Sequence, residues 1–269
     1  MKFSVLLSVY NKELPSYLRR ALQSIWDNQI LKPQEIVIVK DGPLTKELNS
    51  IINTFSKYAP VKTIVLKQNM GLGFALAVGV QQCTCELIAR MDSDDISLSE
   101  RFEKQINYYK SNPDISLLSS QIAEFINDPS VATSIRKVPI SNSDILRFAK
   151  KRNPMNHVAV MFKKSAVLNA GNYVPFHGYE DYYLWVRMLI KGYKAANIDD
   201  NLVYVRIGNN MIARRQGIKF FKEEFRLQKE FKKLGFINNK ERFQNIILRA
   251  FLRLLPVFVL KIVYKFLRK

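Results

Sequence analysis

Three aspartates fall within four residues at Asp92-Ser93-Asp94-Asp95, directly after the apolar run 86–91 and ahead of a helix-forming stretch. Carboxylates this close at a strand end repel one another unless a cation sits among them. A hard divalent cation with oxygen ligands, bridging to a diphosphate, resolves that repulsion. Helix capping by Asp95, Ser97 or Ser99 is the plainer alternative, yet capping accounts for one acidic residue and not for three. Asp41 ends another apolar run, in Val39-Lys40-Asp41-Gly42. Its carboxylate could accept hydrogen bonds from a base or ribose, or simply begin a turn before Gly42. Asn69-Met70-Gly71-Leu72-Gly73 opens a helix, as phosphate-approaching glycine-rich segments do, although its spacing is neither a dinucleotide fingerprint nor a P-loop.

The elements that must position these residues follow from periodicity. Residues 3–9, 35–40, 61–67 and 86–91 read as strands, with amphipathic helices at 15–29, 44–58 and 72–82 between them. Strands joined by helical crossovers imply a parallel, doubly wound sheet, whose ligands bind beyond the carboxyl ends of the strands. Asp41 and the 92–95 cluster stand at such ends. Downstream, 101–111 reads as a helix, 115–126 as a strand, 143–151 as a short helix and 158–162 as a further strand. A helix starts at Glu180 and stops before Gly192, a strand covers 202–205, and 219–234 is a charged amphipathic helix.

A formal net charge of +19 calls for a polyanionic partner: nucleic acid, an anionic bilayer or a phosphorylated substrate. Cys83 and Cys85 suit neither a disulfide framework nor a zinc site and fit reduced thiols in a cytoplasmic chain. The run 3–9 is too short for a signal peptide and lacks a cleavage site. From Lys240 apolar residues dominate to Leu267, interrupted by Arg249, Arg253, Lys261 and Lys265. A spanning helix needs roughly 20 mostly apolar residues, and cations inside the run argue against one. Arg242, Arg249 and Arg253 share one helical face and Lys261, Lys265 and Arg268 another, with Pro256 between them. Two short basic amphipathic helices in the headgroup region are expected, the alternative being an ordinary helix pair packed on the domain.

Val5-Leu6-Leu7-Ser8-Val9-Tyr10-Asn11, Glu35 to Gly42, Asn69-Met70-Gly71, Met91 to Asp95 and Gly178-Tyr179-Glu180-Asp181-Tyr182-Tyr183-Leu184-Trp185 occur in that order. Together they resemble glycosyltransferase family 2, over roughly residues 3 to 205. More narrowly, the chain is similar to bacterial enzymes of O-antigen and exopolysaccharide assembly, of the amylovoran-biosynthesis type. The resemblance implies an α/β GT-A fold: a Rossmann-like, mostly parallel nucleotide-binding sheet flanked by helices, with a C-terminal amphipathic helical tail. The GT-A domain would span 1–215 and the helical region 216–269, with the membrane-associating tail at 240–269. It implies an inverting transfer of a hexose or N-acetylhexosamine from a UDP-sugar, with Mn²⁺ or Mg²⁺. The acceptor would be a sugar on undecaprenyl diphosphate, at the cytoplasmic face of the bacterial inner membrane.

Carried over residue by residue, the resemblance gives Asp41 the uracil, and sets the main chain near Ser8 and Tyr10 along the base. Asn69 and Gly71 border the nucleotide. Asp92 touches the ribose or helps fix the nucleotide and metal, Asp94 is the chief metal ligand, and Asp95 assists or caps. Many relatives carry an Asp-Asp pair where this chain has Lys40-Asp41, so Asp41 is the one carboxylate there. Asp181 is the implied base, with Glu180 orienting it or touching the acceptor; acidic residues in a first turn also suit the helix dipole. His157, His177, Arg206, Arg214 and Arg215 are candidates for acceptor or diphosphate contacts. A satisfied structural histidine or a solvated arginine is the alternative at each. Tyr182, Tyr183 and Trp185 could stack on sugar or fill the core.

Rival classes read less well. A sugar nucleotidyltransferase would carry a Gly- and Arg-rich N-terminal loop with a lysine for the triphosphate, and 7–14 is no such loop. A nucleic-acid-binding protein would interleave cations with aromatics on one patch. Here the tail's cations alternate with Leu, Ile, Val and Phe, so no nucleic acid is expected as partner. An inactive basic membrane adaptor would have no need of Asp92, Asp94 and Asp181.

Overall fold

The computed structural model describes residues 1–208 and 217–254. The first half alternates as its periodicity requires: β1 (Phe3–Val9), α1 (Pro15–Ile25), β2 (Glu35–Lys40), α2 (Lys46–Phe55), β3 (Val61–Val65), α3 (Leu72–Gln82) and β4 (Leu87–Met91). These four strands pair in parallel in the order β3-β2-β1-β4. Alternate residues of β1 face opposite layers. Phe3, Val5, Leu7 and Val9 pack with Leu18 and Leu22 of α1 and Ile52 of α2. Leu6 packs with Leu76 and Val80 of α3 in the other layer. Both faces of the sheet are thus covered, which is why the strands are apolar throughout.

The second half is mixed. It comprises β5 (Ile96–Ser97), α4 (Arg101–Ser111), β6 (Ile115–Phe125), β7 (Ser134–Arg136), α5 (Asn142–Ala149), β8 (Met161–Lys163), α6 (Lys164–Asn169), α7 (Glu180–Ile190) and β9 (Lys194–Arg206). β8 runs antiparallel between β4 and β6, while β6 and β9 pair in parallel and carry the sheet on to β5. Every residue of β6 is buried, so it shows no alternation in sequence.

Several expected elements are corrected. The helix expected at 15–29 ends at Ile25, because Gln29 folds back to donate to Ser24 O at 2.6 Å and Leu98 O at 2.8 Å. The expected strand 158–162 is a 3-10 turn, His157–Ala159, followed by β8. Buried Asn156 holds that bend: its side-chain amide donates to Ser120 O at 2.8 Å and its main-chain carbonyl accepts from Ala159 N at 2.9 Å. The strand expected at 202–205 is the end of the thirteen-residue β9.

Two further helices, α8 (Ile218–Lys233) and α9 (Asn239–Leu254), form a hairpin on the domain. Phe220, Leu227 and Phe231 of α8 share a cluster with Tyr182 and Val186 of α7 and with Tyr179 just before it. The boundary expected at 215/216 lies outside the described residues. Arg242 and Arg249, expected to lie in the headgroup region, turn inward instead. Arg242 stacks 5.2 Å over Phe225, and Arg249 donates to Lys151 O at 2.6 Å. Among the described residues no helix is long and apolar enough to cross a membrane.

Candidate active site

β1, β2 and β4 are neighbours, so their carboxyl ends bring Ser8-Val9-Tyr10, Asp41 and the 92–95 segment together. Immediately past β4, carboxylate oxygens of Asp92, Asp94 and Asp95 lie within 4.8 Å of one another. Residues two apart on a strand share a face, and Arg90 reaches forward to Asp92 in a two-pronged ion pair, with Nη1 donating to Oδ2 at 2.7 Å and Nη2 to Oδ1. The Arg90 side chain is only 2% exposed. Asp95 is also buried and accepts from Arg206 N at 2.7 Å, so it does not cap α4. Ser93 Oγ donates to Glu13, whose other oxygen accepts from Leu14 N at 2.8 Å. This clamp ties the segment after β1 to the aspartate cluster.

The electrostatics match a cation site. Burial pushes the Asp94 carboxyl up to about 7, with repulsion from Asp92 and Glu13 adding to it. Burial, Asp94 and Asp92 likewise raise Asp95 well above the carboxylate range. An all-oxygen set in which Asp94 and Asp95 are held back from ionising fits a hard divalent cation, which Asp92, Asp94 and Asp95 could hold. Arg206 lies beside this cluster, its Nε donating to Asp94 O at 3.3 Å and its guanidinium 3.8 Å over the Tyr17 ring.

Asp41 builds the adjoining loop. Its Oδ1 accepts from Met70 N at 2.7 Å and its Oδ2 from Gly71 N at 3.0 Å, while Asn69 Nδ2 donates to Asp41 O at 3.3 Å. A carboxylate has about four acceptor positions, so this clamp leaves capacity for about two more donors. Gly42 sits at φ +88°, and a Cβ there would lie 2.7 Å from Asn69 N, so the close approach of the two loops requires glycine. Ser8 is half-buried at the end of β1 and Tyr10 is exposed just beyond it.

The second acidic set opens α7. A Cβ on Gly73 would lie 3.3 Å from Glu180 Cβ, so the starts of α3 and α7 meet. Asn153 Nδ2 donates to Asp181 Oδ2 at 2.6 Å, and His157 Nδ1 lies 4.0 Å from the same oxygen. Burial raises the Asp181 carboxyl, opposed by its hydrogen bonds to backbone and to Asn153. Burial and neighbouring Asp181 push Glu180 up to about 7. His157 is enclosed: Nε2 meets Tyr173 OH at 3.0 Å, Trp185 packs edge-on at 5.9 Å, and burial holds the ring neutral.

Arg90 is the cation common to both sets, since its charge favours ionised Asp94, Asp95, Glu180 and Asp181 alike. His177 is exposed beside Phe220, 6.3 Å between ring centroids, and Arg214 and Arg215 lie outside the described residues. Tyr182 and Trp185 are buried core residues, and Tyr183 packs on Phe176. Sequence reasoning missed Arg90, Glu13, Asn153 and Tyr173. A cleft of about 560 Å³ lined by Phe3, Trp26 and Pro60 lies at the amino end of β1, away from both acidic sets.

A model of glycosyl transferase family 2 matches residues 4–173. The amylovoran biosynthesis glycosyltransferase AmsE of Erwinia amylovora is 40% identical, over 99% of each chain. An Escherichia coli protein named UDP-Gal:alpha-D-GlcNAc-diphosphoundecaprenol beta-1,3-galactosyltransferase is 42% identical, over 98% of this chain and 95% of its own. Among solved structures, S. aureus TarS 1-349 in complex with UDP-GlcNAc superposes with a TM-score of 0.69, covering 91% of this chain and 70% of that one. Its 18% identity speaks for the fold alone. With the family model spanning the strands that carry Asp41 and Asp92 to Asp95, and relatives alike from end to end, the chain belongs to glycosyl transferase family 2.

Proposed function

We propose that the enzyme transfers a hexose or N-acetylhexosamine, with inversion, from a UDP-sugar to a sugar carried on undecaprenyl diphosphate in bacterial surface polysaccharide assembly. The observation that carries the reading is a pair of acidic sets around one buried cation, Arg90: the aspartate cluster after β4 and a carboxylate pair at the start of α7. The name of the Escherichia coli relative supports the donor and acceptor classes.

In this reading the nucleotide lies over the carboxyl ends of β1, β2 and β4, with the base between the Ser8–Tyr10 main chain and Asp41. Asn69 and Gly71 border the nucleotide and Asp92 helps fix it. A divalent cation, Mn²⁺ or Mg²⁺, held by Asp92 and Asp94, supplies charge neutralisation to the departing diphosphate. Asp181 accepts the proton of the acceptor hydroxyl as its oxygen bonds to the anomeric carbon and the bond from that carbon to the UDP oxygen breaks. Asn153 aims the base, and Glu180 contacts the acceptor. Arg206 stands where it can meet the diphosphate, whereas His157 acts behind Asp181 as a packed support. The helical region from 216 and its tail associate with the anionic cytoplasmic face of the inner membrane, where the basic excess is neutralised.

The test is transfer from a panel of labelled UDP-sugars, UDP-Gal first, to a short-chain N-acetylglucosaminyl diphosphate lipid. One donor should be consumed with Mn²⁺ and spared with EDTA. Equal turnover with and without EDTA would refute the cation-holding role, and labelling of nucleic acid or water alone would refute the acceptor class.

A further inference from the structure

α9 has an inward and an outward side, and the two differ in character. Inward, Asn245 donates to Lys150 O at 2.8 Å and Arg249 to Lys151 O at 2.6 Å, while Lys150 Nζ meets Glu241 at 2.8 Å. The helix is thereby fastened to the turn 150–153, and the last residue of that turn, Asn153, holds Asp181. Outward, Phe243, Ile247 and Leu248 are 66%, 53% and 55% exposed. Their spacing of four and five residues makes one stripe along the helix. Single exposed apolar residues need no explanation, but three together on one helix face form a patch that asks for a partner.

Charge decides which partner. Lys240 precedes the stripe on α9, and Lys151 and Arg152 are exposed on the turn fastened to it. The sequence that follows α9 contains Lys261, Lys265, Arg268 and Lys269 among apolar residues, and no carboxylate. A second copy would bring these cations against their own kind. An anionic bilayer takes both features, with apolar side chains entering the acyl boundary and cations at the phosphates.

We propose that the Phe243–Ile247–Leu248 stripe of α9, led by Lys240, is the surface that lies on an anionic bilayer. The inward side of α9 is then a fastening to the domain, and the turn that carries Asn153 stands behind the helix that meets the bilayer. This surface deepens the acceptor reading above and rests on it only for the identity of what the bilayer presents.

Sedimentation of the full chain with vesicles of phosphatidylethanolamine and phosphatidylglycerol, at about three to one, tests the surface without any donor present. The wild type should sediment, and the double variant Phe243→Glu/Ile247→Glu should bind about ten-fold more weakly. The control Ile30→Glu, at an exposed apolar site in the first half of the chain, should bind as wild type. Mn²⁺-dependent UDP binding by the double variant should match wild type, showing that it is folded. Vesicle binding by the double variant equal to wild type would overturn the proposal, as would failure of the wild type to sediment. A wild type that dimerises through this face, with the double variant monomeric and vesicle binding unchanged, would overturn it in favour of a second copy. Failure of the wild type to transfer any sugar would count against the reaction and leave the vesicle result standing.

Discussion

The side-chain amide of Asn153 donates to Oδ2 of Asp181 at 2.6 Å, which fixes the orientation of the carboxylate assigned as base. That bond stabilises the ionised carboxylate against the burial that raises it. Asn153→Ala removes the donor, so Asp181 should ionise only at higher pH. The acid limb of the kcat profile should move to higher pH, and kcat at pH 7 should fall about ten-fold. A pH–rate series on variant and wild type measures both; an unmoved acid limb would remove Asn153 from the mechanism.

Arg90 is buried and holds Asp92 through both guanidinium nitrogens. Arg90→Met leaves Asp92, Asp95, Glu180 and Asp181 without their shared cation. Removing one partner of a buried pair typically costs about 3–5 kcal/mol, and Asp92 is partly exposed, so about 3 kcal/mol is expected in urea unfolding. Arg90→Lys should recover only part of this, since an ammonium cannot bond both oxygens in one plane.

The acidic cluster makes stability depend on pH and cation together. Asp94 in the folded protein titrates at about 7, above its usual range near 4, and Asp95 is raised in the same direction. The folded state therefore holds protons that the unfolded state has released, and stability of the metal-free protein should fall as pH rises from about 4 to about 7. A divalent cation replaces those protons. Mn²⁺ should raise the melting temperature more at pH 8 than at pH 5.5, by thermal scans with and without EDTA; equal shifts at the two pH values would contradict the assignment.

Asp41→Ala strips the Met70 and Gly71 amides of their acceptor. Both amides are only part-buried, so the main effect is on the order of the loop they belong to, which borders the proposed nucleotide. UDP affinity should weaken about ten-fold or more by calorimetry. Asp41→Asn keeps one acceptor oxygen and should lie between the two. Wild-type affinity in both variants would show that the loop does not meet the nucleotide.

Much of the fold was legible because strands buried on both faces and amphipathic crossovers leave strong periods. β1, β2, α3 and α4 have the bounds expected of them. The parallel half places Asp41 and Asp92 at the carboxyl ends of the strands on either side of β1, as the doubly wound pattern implies. The second half read less well for specific reasons. At 158–162 an apolar run hides a turn, because the residue that bends it, Asn156, acts through side-chain bonds to distant β6. In the tail, the shared face of Arg242 and Arg249 looked like a headgroup surface, whereas Glu224 and Lys151 O are the partners that draw Arg249 inward. Those partners lie far off in sequence.

Of the site, the acidic residues were visible and their supports were not. Arg90 did leave a signal: a lone cation inside a buried strand, two residues before Asp92 and so on its face. Glu13 and Asn153 left none, since each acts across a loop whose path no period records. His157 read as an acceptor or diphosphate contact or as a structural histidine, and it bonds Tyr173 with Trp185 packed on it.

The division of labour between the two acidic sets is tested most directly by UDP calorimetry with Mn²⁺, paired with sugar transfer, on wild type, Asp94→Asn and Asp181→Asn. Asp94→Asn should lose both Mn²⁺-dependent UDP binding and transfer. Asp181→Asn should bind UDP as wild type does and transfer at least about a hundred-fold more slowly. Wild-type transfer by Asp181→Asn, or Mn²⁺-dependent UDP binding unchanged in Asp94→Asn, would contradict the assignment of base and cation site.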